Sequence, residues 1–299
     1  MREVRVMIIP GIARYVMKMH NRKTHKALDI LFFCPRWGAD AVDWETFLDQ
    51  VVDAGYHGVE IGLPDGTAEA EMILELINRR NLLYILQHYE TTAPDFENHR
   101  TEYKNRITRL ASYQPYLINS HTGRDFFTAA QNRILLHDAK EIADAHGLNI
   151  THETHRSRFN FAAHVTHDFL DNDWLKLTLD ISHWFCVAET MLEDQEEIVT
   201  DTIPHVAHIH ARYGHTQGPQ IDQLDHQKWD YIKERHLQVW DKIIAYHLQH
   251  KSQQIGITTE FGPWPYMVSA SPLENGHTIQ FEWNRTLMTL LKTRYKTLR

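Results

Sequence analysis

Short apolar runs alternate with longer amphipathic stretches from residue 28 onward, and the alternation recurs eight times. Leu28 to Phe33 (LDILFF) predicts a strand. Asp43 to Ala54 predicts a helix, with Val42, Phe47, Leu48, Val51 and Val52 at helical spacing and Gly55 as its stop. The second pair is His57 to Ile61 and a helix over about 67–79, and the third is Leu82 to His88 and about 95–112. The fourth is Tyr116 to His121 and about 126–146, and the fifth is Leu148 to Glu153 and about 160–171. Leu175 to Asp180 with about 192–203, His205 to His210 with about 227–249, and Ile255 to Glu260 with about 278–297 complete the series.

Repeated strand-then-helix units imply a parallel sheet with right-handed crossovers. Eight of them predict closure into a (β/α)8 barrel, an α/β fold carried by one domain over residues 28–299. No Gly-rich GxGxxG follows the first strand, so a dinucleotide-binding fold has no support. No Pro-, Gly- or Ser-rich linker interrupts the pattern. Residues 1–27 stand apart as an N-terminal extension. They are basic (Arg2, Arg5, Arg14, Lys18, Arg22, Lys23, Lys26), with Glu3 the sole acid. Their apolar stretch, Val6 to Ala13, holds Pro10, runs into Arg14 and lacks a small-residue cleavage site, a poor fit to a secretory signal.

Composition narrows the function classes. The 299 residues are 42% hydrophobic and 23% charged, a globular balance. The net charge of -8 argues against a broad nucleic-acid footprint. No run approaches the ~20 apolar residues of a membrane span. Two cysteines, Cys34 and Cys186, make no disulfide framework, so a reducing, cytoplasmic setting is expected. The 22 histidines are the outlier. His99, His137, His146, His164, His236, His247 and His250 fall in helical stretches and read as solvated.

The candidate chemistry lies at the strand ends. Glu60, His88, His121, Glu153, Asp180, His210 and Glu260 each fall at or near the C-terminal end of a predicted strand, the face that carries active sites in such barrels. Alternation sets Thr151 with Glu153, Thr178 with Asp180, His208 with His210 and Thr258 with Glu260 on the inward face. Ile150, Leu177, Leu179, Ala207, Ile209 and Ile257 then face the helices. Three carboxylates and an imidazole make an oxygen- and nitrogen-rich site suited to one divalent ion, Mn²⁺, Co²⁺, Mg²⁺ or Zn²⁺. Each has a plainer reading. Asp180 could be only a helix N-cap, Glu260 an ion-pair residue, and His210 a hydrogen-bonded core histidine. His205 and His208 read as structural. The THETH run over 151–155 spaces its histidines three apart, so it is not the HExxH of a zincin helix.

This set of residues resembles the xylose isomerase-like barrel superfamily, in particular its sugar phosphate isomerase/epimerase branch. The pieces are Glu153 in NITHE, the Asp-x-x-His of Asp180 and His183, His210 in HIHAR and Glu260 in TTEFGP, and the resemblance covers roughly residues 28–290. It implies one divalent ion held by Glu153, Asp180, His210 and Glu260. It also implies a sugar or sugar-derived small molecule as substrate, with Glu153 and Glu260 as the acid/base pair in proton transfer through a metal-bound enediolate. His183 and Arg212 would contact substrate, and His121, His88 and Glu60 are further substrate candidates. Trp37, Trp184, Phe261, Trp264 and Tyr266 could wall a sugar, and the loop from Tyr213 to His226 is long enough for a lid. The alternatives are a dehydratase or lyase on the same mononuclear site, or a phosphodiesterase like endonuclease IV, with three zinc ions. The latter also needs an Asp-x-His after the strand-seven histidine, and Asp222, Asp225 and His226 do not supply that form. No nucleic-acid or membrane partner is expected, and a homo-oligomer is left open.

Overall fold

A computed structural model describes residues 28–268 and 276–296, so the extension read at 1–27 lies outside the described residues. Eight strands form: β1 (Asp29–Pro35), β2 (Gly58–Ile61), β3 (Leu83–His88), β4 (Leu117–Ser120), β5 (Ile150–Glu153), β6 (Leu177–Leu179), β7 (Val206–Ala211) and β8 (Gln254–Thr259). They pair in parallel in chain order, and β1 closes on β8 over the register Asp29–Gln254 to Phe33–Thr258. The predicted (β/α)8 barrel is therefore the observed fold.

Alternation divides each strand between two environments. Ile150, Leu179, Ile209 and Ile257 join the large apolar layer between barrel and helices, while Leu177 packs with Leu136, Phe159, Phe169 and Leu175. Ala207 is only half-buried. On the other face Leu31, Phe33, Ile85 and Leu117 form a separate apolar cluster. Gly256 fits beside it because any Cβ there would meet His208 Nδ1 at 2.4 Å. Toward the C-terminal mouth the same face turns polar, with Glu60, Asn119, Glu153, Thr178, His208, His210 and Thr258 all buried. Such groups persist in a core only when each is hydrogen-bonded or charge-paired.

The helices are α1 (Trp44–Asp53), α2 (Thr67–Arg79), α3 (Phe96–Ser112), α4 (Ala129–His146), α5 (Ala163–His167), α6 (Ile181–Ala188), α7 (Glu196–Thr202), α8 (Asp230–Gln249) and α9 (Gly276–Lys296). Their starts follow capping chemistry: Asp43 and Asp95 accept from the backbone N–H of Thr46 and Asn98, and Thr128 and Gln131 form a capping box. Gly147 ends α4 at φ 65°, a conformation other residues adopt at a cost.

Two departures from the sequence reading affect the site. The α6 helix follows its N-cap Asp180 with no intervening loop, ahead of the helix expected over about 192–203. Its run ISHWFCVA buries Ile181, Ser182, His183, Trp184 and Phe185, so it carries no polar stripe by which periodicity would reveal it. The helix expected over about 160–171 shortens to the five residues of α5. Two of the histidines read as solvated are in fact buried. His99 hydrogen-bonds the Ala93 carbonyl through Nδ1. His236 donates through Nδ1 to Ile232 and accepts the Gly214 N–H on Nε2, packed among Phe185, Tyr213 and Trp240. Among the described residues no helix is long and apolar enough to cross a membrane.

Candidate metal centre

Four strands deliver the centre. Glu153 ends β5, Asp180 follows β6, His210 lies one residue before the end of β7, and Glu260 follows β8. Each offers one ligand atom, and the four atoms lie within 4.8 Å of one another, all on buried side chains. His210 Nδ1 stands 2.9 Å from Glu260 Oε2 and 3.5 Å from Glu153 Oε2. Yet both His210 Nδ1 and Glu260 Oε2 are buried without a hydrogen-bond partner. Two buried ligand atoms this close, with no hydrogen bond aligned between them, suit donation to a shared cation. The residues therefore fit a divalent ion, on grounds of both donor chemistry and geometry.

The other face of His210 is fully engaged. Its Nε2 lies 3.0 Å from each oxygen of Glu60. Glu60 also accepts from Asn119 Nδ2 at 2.8 Å and from Thr258 Oγ1 at 2.5 Å. Donating Nε2–H to a carboxylate fixes the tautomer, so that Nδ1 presents its lone pair to the cluster once its proton is displaced, the usual arrangement behind a metal-bound imidazole. Glu60, expected at the rim as a substrate contact, is thus a partner of His210 beneath the site. Asn119 also donates to Glu153 Oε2 at 2.7 Å. It escaped the sequence reading, although its place on β4 two residues after the inward-facing Leu117 sets it on the inward face.

Asp180 fills two roles. Its Oδ1 accepts the Ser182 N–H and caps α6, and its Oδ2 pairs with Arg212 Nη2. Arg212 also donates from Nε to Ser182 Oγ at 3.1 Å and from Nη2 to His183 Nε2 at 2.7 Å, and stacks on Tyr266. Because His183 accepts there, it is held as the neutral ring. It is fully buried and lies behind Arg212, outside the cavity lining, contrary to its expected contact with substrate. His88 is likewise buried, hydrogen-bonded to Thr91 Oγ1 and Ser120 Oγ and absent from the lining. His121 does reach the cavity, with Nε2 donating to Glu153 Oε2 at 2.9 Å. Its ring stacks on that of His155, which in turn packs on His183.

Charge follows this packing. Burial alone would lift the Glu153 carboxyl, but His121 and His210 outweigh it and hold the group well below the usual range. Burial and the charge of Glu153 raise Glu260 despite His210 and Arg212. Burial raises Asp180 despite Arg212. Burial pushes the His210 imidazole down, but Glu260, Glu60 and Glu153 together carry it well above its ordinary value. Carboxylates crowded around one imidazole hold a proton on it that a cation would displace.

Glu153, Glu260 and Arg212 open onto a cavity of about 540 Å³, also lined by Arg36, Trp37, Trp44, Tyr89, His155, Arg158 and Tyr266. That volume suits a small molecule. Of the aromatics expected to wall it, Trp37 and Tyr266 do so, meeting edge to face. Trp184 instead donates to the Asn160 carbonyl inside the core, Phe261 is buried, and Trp264 is exposed away from the lining. The loop considered as a lid is anchored: Tyr213 stacks on Trp240, Gln220 exchanges hydrogen bonds with Gly262, and no residue of 213–226 lines the cavity.

The fold is shared with solved barrels at low identity. A xylose isomerase domain protein from Planctomyces limnophilus aligns at 12% identity over 91% of this chain and 98% of its own, with a TM-score of 0.57. The 3-keto-D-glucoside 4-epimerase YcjR from E. coli aligns at 13% identity over 86% and 100%, with a TM-score of 0.52. The probable 3-DHS dehydratase AsbF from Bacillus anthracis aligns at 13% identity over 87% and 98%, with a TM-score of 0.53. The chain thus shares its closed (β/α)8 barrel fold with these proteins. No family model matches it, and no curated protein sequence does.

Proposed function

We propose that the protein is a divalent-metal-dependent isomerase or epimerase of a sugar or sugar-derived small molecule. One observation carries this: the four ligand atoms of Glu153, Asp180, His210 and Glu260 converge within 4.8 Å, and both glutamates also line the cavity. The fold adds support, since it is shared with an epimerase of a keto-glucoside and with a xylose isomerase domain protein, though fold alone does not set chemistry.

Bound at this centre, a divalent ion supplies Lewis acidity toward a substrate carbonyl and the negative charge that gathers on its oxygen. The chain supplies the rest. Glu153, beside His121, would take a carbon-bound proton, and Glu260, on the same cavity, would return one. Arg212 and Asp180 neutralise each other beside them. Trp37 and Tyr266 give the cavity an apolar wall on which the carbon face of a sugar can lie.

The trinuclear phosphodiesterase alternative gains nothing from the geometry. Among the described residues, the clusters able to hold an ion are Glu60–His208–His210, His121–Glu153–His155 and the quartet, none of which contains His183, Asp222, Asp225 or His226. Asp222 is instead bound to Lys228 and the Trp229 indole N–H.

The test is a screen of ketoses, keto-acids and inososes with Mn²⁺, Co²⁺ and Mg²⁺ in D₂O, reading deuterium uptake at carbon. Turnover is expected with metal, and a loss of about 10²-fold or more in Glu153→Gln and in Glu260→Gln. Full turnover in both variants refutes the acid/base assignment.

A further inference from the structure

The cavity contains a cation that nothing in the metal centre explains. Arg158 follows β5 and is only 6% exposed, yet it lines the cavity. Its Nη1 donates to the Thr91 carbonyl at 3.0 Å and its Nη2 to the Tyr89 carbonyl at 2.9 Å, both from the loop after β3. Its Nε is buried with no partner. A guanidinium has five N–H donors, so the two carbonyls leave more than half of them unspent. Among the described residues no carboxylate lies within 4.0 Å of it: Glu153, Asp125 and Glu90 act on it only at longer range, and Arg124 opposes them. Burial together with Arg124 pulls its pKa down to about 10, so it is cationic at neutral pH.

A buried charge without a counter-ion is costly, and proteins keep such groups where a ligand completes them. The two carbonyls hold the fork in place without neutralising it, as a preorganised anion site requires. The rest of the mouth agrees. Arg36, in the loop after β1, lines the same cavity, is held between the rings of Trp44 and Phe47, spends Nη2 on the Val42 carbonyl and leaves Nη1 buried and unpaired.

We infer that Arg158 is an oxyanion-binding residue, and that the molecule taken into this cavity carries a carboxylate or phosphate group seated on the β3–β5 side of the mouth. As a statement about substrate it rests on the isomerase or epimerase reading above. As a statement about anion binding it does not, and the two can fail separately.

The experiment uses the full chain in EDTA. Inorganic phosphate and acetate are titrated separately, with chloride at equal ionic strength as the control, and binding is read by calorimetry and thermal shift. One of the two oxyanions is expected to saturate at one site per chain, and which of them does so names the class of group. Binding weakens about ten- to a hundredfold in Arg158→Met, the loss of charge-assisted hydrogen bonds. It weakens less in Arg158→Lys, which keeps the charge and is the deciding variant if the methionine form does not fold. Mn²⁺ affinity stays at the parent value in both. Failure of both anions to bind, or an affinity unchanged by both substitutions, overturns the inference. Saturable binding that Arg158 controls, in a protein that turns over no ketose, keto-acid or inosose, keeps the anion site and removes the isomerase reading.

Discussion

Glu60 and His210 stand 150 residues apart in the chain and meet inside the barrel, with His210 Nε2 at 3.0 Å from both carboxylate oxygens. That contact orients the opposite ring nitrogen toward Glu153 and Glu260. Substituting Glu60→Gln removes the charge at nearly constant volume and weakens the tautomer preference. Mn²⁺ affinity is predicted to fall about 10- to 100-fold with all four ligands intact. Calorimetric titration of parent and variant checks this, and affinities within twofold of each other would show that Glu60 does not orient the imidazole.

Metal affinity is predicted to rise with pH. In the metal-free protein Glu260, Glu60 and Glu153 outweigh burial and raise His210 well above its ordinary value. Groups with raised proton affinity keep their protons to higher pH, and an incoming ion must displace them. Below the folded pKa of His210, each displaced proton steepens the dependence of log Kd on pH by about one unit per pH unit. Titrations between about pH 6 and about pH 8 should therefore give Kd values that fall as pH rises. A flat or opposite trend would mean that no proton leaves the centre on binding.

Arg212 is the counter-ion that keeps Asp180 ionised in a fully buried position. Removing one partner of a buried pair leaves the other uncompensated, at a cost of about 3–5 kcal/mol. The substitution Arg212→Met is predicted to destabilise the metal-free protein by that order. With Mn²⁺ at about 100 times its Kd, binding adds about 2.7 kcal/mol, and the loss relative to parent shrinks because the ion supplies charge to the same carboxylate. Urea unfolding of both proteins, with and without Mn²⁺, measures the difference. An equal loss in both conditions contradicts it.

Gly256 tests the barrel interior apart from the chemistry. A Cβ at this position would meet His208 Nδ1 at 2.4 Å and Phe33 Cε2 at 3.2 Å. Gly256→Ala is predicted to cost about 1–3 kcal/mol through overpacking while leaving metal stoichiometry unchanged. Thermal unfolding and a metal assay on the same sample check both parts.

Much of this was legible in the chain because a closed barrel converts two simple periodicities into position. Alternation on each strand set Glu153, Asp180, His210 and Glu260 on one face, and their shared place at strand ends set them at one mouth. What stayed hidden depends on packing between segments remote in sequence. His88 ends β3 and His183 lies in the first turn of α6, yet both are buried in the core, where Thr91 and Ser120 occupy the nitrogens of His88 and Arg212 occupies Nε2 of His183. Trp184 went inward with α6, whose first five residues are all buried, the polar Ser182 and His183 among them, so no polar stripe marks the helix. The pairing of Arg212 with Asp180 reflects the neighbouring strands β6 and β7, whose register slips between Leu177 and Thr178. No pattern along the chain marks such a slip.

The most direct test of the centre is its stoichiometry. Mn²⁺ titrated into the metal-free full chain is predicted to bind at one ion per chain, with affinity reduced about 100-fold or more by Asp180→Ala and by Glu260→Ala. Absence of saturable binding, a stoichiometry of three, or an affinity that neither substitution changes would contradict the convergence of these four side chains on a single ion.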